Sequence, residues 1–281
     1  MTEVHVTALG IHPVKSTAIR SVPSAVVRSW GLEGDRRWMV VDAEGVLVSA
    51  REVHALFTIT ADTPATDPSV GAPLRLRAPG VADLLLGEPD SALVPVRLHS
   101  NDLRARPAGP EADTWLSGVL GRGDLRLVWC DEPSRRVLNP AYARPGDHTG
   151  FADGYPVTVA SLSSLRRLND WIGEGALERG EQPPAPLPIE RFRPNVVVDG
   201  AEPFAEDGWE RVRIGRVPFR KVKDVDRCVM TTIETGTLET GKEPIRTLAR
   251  HRQWEGRTWF AVHLVPDGTG TISLGDRVVL G

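Results

Sequence analysis

The chain is 281 residues long, 41% hydrophobic and 25% charged, the balance of a globular protein with enough length for two domains. Its net charge of −3 argues against a nucleic-acid polymer or an anionic membrane as partner. Two cysteines, Cys130 and Cys228, are too few for a disulfide framework or a four-thiolate iron–sulfur cluster, although one Cys130–Cys228 bridge stays open. No apolar run nears the roughly 18 residues of a membrane span, and the N-terminus lacks the basic and apolar regions of a signal peptide. A reduced, cytoplasmic chain is therefore expected.

Residues 2–15 carry Val4, Val6, Leu9 and Ile11 and read as a first strand ending in His12-Pro13-Val14-Lys15-Ser16. A lysine beside a hydroxyl suits a phosphate or another anion, though a solvated turn uses the same residues. Gly34-Asp35 marks a turn, and 37–41 reads as a strand with Arg36 at the junction, where a cation can point into a cleft. Gly-Asp-Arg recurs at Gly275-Asp276-Arg277, so the tripeptide also serves as plain turn chemistry. Residues 46–51 are the expected hairpin partner. Short β-type runs follow at 56–59, 74–77, 81–86 and 93–98, separated by Asp-, Thr-, Pro- and Gly-rich segments, the pattern of an antiparallel sheet or barrel. Asp113 is expected to cap a helix over 114–120. The domain boundary is placed there, giving domains 1–118 and 119–281 in a mainly β, α+β chain.

Beyond the boundary, 125–129 reads as a strand leading to Cys130. Residues 132–150 form a polar loop long enough to be functional. Phe151-Ala152-Asp153-Gly154-Tyr155-Pro156 leads into a strand over 157–160, and Ser161 opens a helix whose Leu162, Leu165, Leu168 and Ile172 belong to the core. The proline-rich segment 183–188 is a stiff connector. Arg193 and Asn195 then stand at the entrance of a valine strand. If the chain is extended there, they share one side and make a hydrogen-bonding pair for a polar ligand, or else a strand-end network. Two alternating strands around Gly215-Arg216 deliver Asp226-Arg227-Cys228. Lys242-Glu243-Pro244 starts a short helix, and strands over 259–265 and 272–280 close the chain.

Cys228 is the residue on which chemistry would centre. An arginine precedes it, Asp224 and Asp226 lie upstream, and Thr231-Thr232 follow. A thiolate forms more readily beside a cation, and thiolate is the ligand of soft or high-valent metals. A small buried core thiol is the alternative. The seven histidines show no zinc spacing, and Cys-x-x-Cys, P-loop, Gly-x-Ser-x-Gly and dinucleotide-binding motifs are absent.

Taken in order, Pro13-Val14-Lys15-Ser16, Gly34-Asp35-Arg36-Arg37-Trp38, Ser49-Ala50-Arg51, Phe192-Arg193-Pro194-Asn195, Arg227-Cys228-Val229-Met230-Thr231-Thr232 and Lys242-Glu243-Pro244-Ile245-Arg246-Thr247-Leu248 carry a likeness. The chain resembles the MOSC (molybdenum cofactor sulfurase C-terminal) proteins, in the branch of the mitochondrial amidoxime-reducing component and its bacterial relatives, over essentially its whole length. The resemblance implies an N-terminal β-rich domain, a C-terminal MOSC β-barrel with a few short helices, and a molybdenum cofactor (Mo-molybdopterin). It implies Cys228 as metal ligand and catalytic residue, Lys15, Ser16 and Arg36 at the cofactor's phosphate, and Arg193 and Asn195 bonded to the cofactor. Asp226 and Arg227 would flank the metal; Asp153 and His263 complete the cofactor-binding set, His263 standing where the family usually has an aromatic residue. The implied activity is reduction of N-hydroxylated compounds such as hydroxylamines and amidoximes. The alternative is a non-catalytic carrier of cofactor or sulfur. The loop Glu234-Thr235-Gly236 looks shorter than the family's acidic turn. The sequence has neither the length nor the cysteines for the ferredoxin-like domain of some bacterial relatives, so electrons are expected from a separate flavin, cytochrome or iron–sulfur protein.

Overall fold

The computed structural model describes residues 3–281, in two compact units. One comprises the chain up to residue 10 with 23–28 and 157–281; the other comprises 11–22 and 29–156.

The first unit is built on a closed barrel of seven strands. Val157–Ser161 pairs in parallel with Val196–Asp199, which pairs antiparallel with the first strand, Val4–Ile11. The circuit continues through Arg277–Leu280, Arg211–Ile214, Val217–Asp226 and Arg257–Pro266, which returns to Val157–Ser161. Closure leaves no unpaired edge within the circuit. Parallel neighbours need a crossover, and helix Leu162–Glu178 supplies it. Its Leu165, Leu168 and Ile172 pack on Ala160, Val197 and Phe260, on the outside of the barrel. Val159, Val196 and Val198 are buried on the opposite face. Burial on both faces explains why Val196-Val197-Val198 is a continuous apolar run instead of an alternating one.

The second unit carries an antiparallel sheet in the order Trp38–Val41, Arg126–Trp129, Asn101–Pro107, Val94–Leu98. A smaller sheet pairs Thr60–Asp62, Leu74–Arg77 and Leu84–Leu86. Met39, Val41, Val96, Leu98, Val128 and Phe151 form its core, together with Cys130. Burial pushes the Cys130 thiol up, against the pull of Arg37. Both cysteines are free thiols, so the Cys130–Cys228 bridge is not formed.

Several local expectations are revised. Residues 56–59 are not a strand. His54–Thr58 is a 3₁₀ turn that buries Leu56 and Phe57, its entrance bent by the Ser49 carbonyl accepting from the N–H groups of Glu52 and Val53. The short helix begins a turn earlier than Asp113, at Pro110, because proline is well suited to the first helical position and Gly109 adopts φ 107° just before it. Asp113 instead lies in the first turn and accepts the Leu127 N–H at 3.3 Å. Among the described residues no helix is long and apolar enough to cross a membrane.

Candidate functional site

In the barrel unit, Val217–Asp226 ends at Asp226 and hands the chain to Arg227 and Cys228. Cys228 is extended (φ −120°, ψ 178°), half-buried, and stands at the entrance of the 3₁₀ turn Val229–Thr232. The two threonines close that turn. Thr231 Oγ1 donates to the Cys228 carbonyl at 3.0 Å, and Thr232 Oγ1 donates to the Val229 carbonyl at 2.7 Å. The buried Arg191 donates through Nε to the Thr231 carbonyl at 2.9 Å, bracing the turn from below. Short polar side chains thus take the place of helix or sheet partners in holding the cysteine's backbone.

Arg227 is also committed to backbone. Its Nε donates to the Phe260 carbonyl at 2.8 Å and its Nη1 to the Phe192 carbonyl at 3.0 Å, with the guanidinium 5.4 Å from the centre of the Phe192 ring. Asp226 is partly exposed and pairs with Lys223 (3.3 Å) and Arg257 (3.4 Å). Burial works against its ionisation, but those two cations hold its pKa below the ordinary value.

Arg193 follows Phe192 directly, so the Arg227 contact brings that segment to Cys228's neighbour. The chain is not extended at Arg193, so the condition under which alternation would put it on one side with Asn195 is not met. Arg193 has φ 52°, because it terminates the 3₁₀ turn Ile189–Phe192. Asn195 is fully buried: Oδ1 accepts the Thr158 N–H and Nδ2 donates to the Gly10 carbonyl, both at 3.1 Å. These two bonds form a strand-end network. Thr158 in turn lies opposite His263, with Oγ1 and Nδ1 3.3 Å apart. A continuous track of contacts so links Cys228, Arg227, Arg193, Asn195 and His263 within this unit.

The second unit gathers Lys15, Ser16, Arg36 and Asp153. The Lys15 segment is stitched beside Trp38 by Lys15 N–H to Trp38 carbonyl, 2.8 Å. The Lys15 amine is buried and donates to the Phe151 carbonyl (2.9 Å) and Asp153 Oδ1 (2.6 Å). Burial lowers its pKa to about 8, with Arg36 and Arg136 adding to the effect and Asp153 opposing it. Asp35 grips both sides of the turn. Its Oδ1 accepts the His12 backbone N–H at 2.8 Å and its Oδ2 accepts Arg36 Nη1 at 2.6 Å. Burial disfavours the Asp35 carboxylate, but Arg36 and His12 outweigh it and bring the pKa to about 2.

Arg136 is buried and donates to the carbonyls of Gly150, Ala152 and Asp153. Gly150 is required by this packing, since a Cβ there would lie 2.9 Å from the Arg36 carbonyl oxygen. Burial lowers the Arg136 pKa to about 10. Among the contacts described, three cations, Lys15, Arg36 and Arg136, meet two carboxylates, Asp35 and Asp153. Such a grouping suits an anion that brings its own hydrogen-bond acceptors.

Backbone strain is shared by both sets. Ser16 (φ 72°), Arg36 (φ 46°) and Arg193 (φ 52°) are three of eight non-glycine residues with positive φ among those described. Each costs on the order of 1 kcal/mol, a penalty retained where the surroundings enforce it. Four residues of these networks escape sequence reasoning. His12 and Asp35 lie inside the motifs but look like turn residues, Arg136 sits unmarked in the long loop, and Arg191 reads as an ordinary surface charge.

Two family models match the chain in succession, and the strand Val4–Ile11 of the barrel unit falls in the N-terminal match. Residues 3–123 match the MOSC N-terminal beta barrel domain, and residues 146–279 match the MOSC domain. The chain is 31% identical to Mitochondrial amidoxime-reducing component 1 of Homo sapiens, over 98% of this chain and 82% of that protein. It is 32% identical to the Mus musculus protein of the same name, with the same coverage. Molybdenum cofactor sulfurase of Solanum lycopersicum is 28% identical over 92% of this chain, which spans 33% of that protein. With both domain models matched and likeness to the amidoxime-reducing components running nearly end to end, the chain belongs to the MOSC-domain family.

Proposed function

We propose that this chain is a molybdenum-cofactor-dependent oxidoreductase. It reduces N-hydroxylated compounds (hydroxylamines and amidoximes) to the parent amine or amidine. The observation that carries the reading is Cys228, a half-buried thiol at a turn whose threonines and Arg191 hold its backbone, while the preceding Arg227 is tied to the Phe260 and Phe192 carbonyls. That is the preparation expected of a fixed metal ligand. Membership of the MOSC family, and the names of the relatives, support molybdenum as that metal.

Each unit carries residues suited to a part of the cofactor. Cys228 offers one thiolate for molybdenum. The cations Lys15 and Arg36 meet the needs of a phosphate, and Ser16 adds a hydroxyl. When bound, the cofactor supplies the two-electron chemistry at nitrogen and oxygen. The protein binds and orients. Arg191, Thr231 and Thr232 fix the thiolate's position, Asp35 fixes Arg36, and Asn195 and Arg227 hold the strand ends that carry Arg193 and His263. The overall reaction consumes two electrons and two protons, breaks the N–O bond and releases water. The electrons come from a separate donor protein.

The test is turnover of an aromatic amidoxime by protein produced in a host that makes molybdopterin, with a chemical reductant in place of the donor. Amidine forms with the wild type and not with a folded Cys228→Ala variant. A metal-loaded wild type that forms no amidine would leave a carrier in place of an enzyme.

A further inference from the structure

Lys15 and Asp153 form an asymmetric pair. The lysine side chain is 5% exposed and the aspartate side chain 56% exposed, so the carboxylate lies on the open side of a buried amine. The same Oδ1 that accepts from Lys15 at 2.6 Å stands 3.0 Å from His99 Nε2. His99 reaches it from a two-residue turn between Leu98 and Asn101, with φ 54°. Left-handed backbone at a histidine is strained, and strain retained beside a charged cluster is a pointer to use.

The backbone here is clamped. Arg136 holds the Gly150, Ala152 and Asp153 carbonyls, and the Arg36 carbonyl accepts the Phe151 N–H at 2.8 Å. The freedom left to Asp153 is rotation of its side chain. The charged and titratable groups around it are Lys15, His99 and Arg136, with Arg36, Asp35 and His12 behind Lys15. An anion arriving at Lys15 meets the Asp153 carboxylate already in place, and two like charges sharing one amine repel.

We propose that Asp153 is a resident counter-anion for Lys15 which, when a phosphate-type dianion binds, is displaced onto His99. The carboxylate keeps the buried amine paired in the absence of ligand. His99 accepts it when the ligand takes its place. This rests on the reading of Lys15, Ser16 and Arg36 as a phosphate site, and gives Asp153 the role of competitor in place of ligand contact.

Sulfate is the probe, because it remains a dianion across the working pH range. Its dissociation constant is measured calorimetrically on the full chain at pH 6.5, for wild type, Asp153→Asn, His99→Gln, the double variant and Lys15→Ala, with folding of each checked by circular dichroism. Asp153→Asn is expected to tighten sulfate binding by roughly tenfold, about one close charge contact. Asp153→Ala shifts it in the same direction. His99→Gln is expected to weaken binding by about threefold when Asp153 is present and to have no effect in the Asp153→Asn background, the coupling that defines a shared mechanism. Weaker binding in Asp153→Asn, or an equal His99→Gln effect in both backgrounds, overturns the exchange while leaving the phosphate site standing. Sulfate affinity unchanged in Lys15→Ala overturns the site itself, and the exchange with it.

Discussion

Asp35 shows how much of this chain's site depends on residues that touch no ligand. One carboxylate holds the His12 backbone and the Arg36 guanidinium, and so fixes a strained cation. Its pKa is lowered from the ordinary 3.8 to about 2. A depressed carboxyl contributes stability that is complete above its unfolded pKa and is lost as pH falls through the folded one. The window is therefore about pH 4 down to about pH 2. The shift corresponds to about 2 kcal/mol at neutral pH. Asp35→Asn is expected to lose about that much in urea unfolding at pH 7, and progressively less as the wild type is measured below pH 4. A difference that stays constant down to pH 3 would show that packing, and not charge, is responsible. Sequence alone placed Arg36 in a cleft-facing turn but gave no sign of this partner, because Gly-Asp-Arg serves equally as a plain turn at Gly275-Asp276-Arg277.

The turn after Cys228 is the element on which the proposed chemistry rests, and it is held by side chains. Removing the Arg191 donor leaves the Thr231 carbonyl with one fewer buried partner, a loss of about 1–3 kcal/mol. Arg191→Met is expected to lower stability by that amount and to speed loss of molybdenum from loaded protein during dialysis. Arg191→Lys should restore part of the metal retention, since one donor suffices for one carbonyl. Equal metal loss rates in wild type and Arg191→Met would separate the brace from the site. The threonines were visible in the sequence as neighbours of the cysteine, but their hydroxyls point at backbone, which spacing does not reveal. Arg193 and Asn195 make the same point. An extended chain would have put them on one side, but the 3₁₀ turn at Ile189–Phe192 leaves Arg193 left-handed and Asn195 buried among carbonyls and amides. Propensity at the strand was legible; the turn that rotates its entrance was not.

For the molecule as a whole, the mainly β character and the C-terminal barrel were legible from alternation, turn spacing and family motifs. The route by which the barrel closes was not. Val4–Ile11 sits between Val196–Asp199 and Arg277–Leu280, so the barrel's seventh strand comes from the far end of the chain. Nothing in strand periodicity announces a partner more than a hundred residues away. A fragment starting at residue 150 therefore lacks a wall strand and exposes two long edges. It is expected to show no cooperative thermal unfolding by circular dichroism, whereas the same fragment with residues 3–11 fused after Gly281 through a flexible linker regains it. Cooperative unfolding of the fragment alone would contradict the closure described here.

Cys228 is the proposed ligand of molybdenum. The direct measurement is metal per chain, by elemental analysis, after expression in a host that makes molybdopterin, for wild type beside Cys228→Ala. Near-stoichiometric molybdenum in the wild type, lost in a variant with an unchanged circular dichroism spectrum, is the predicted result. Molybdenum absent from both, or retained in full by the variant, would contradict it.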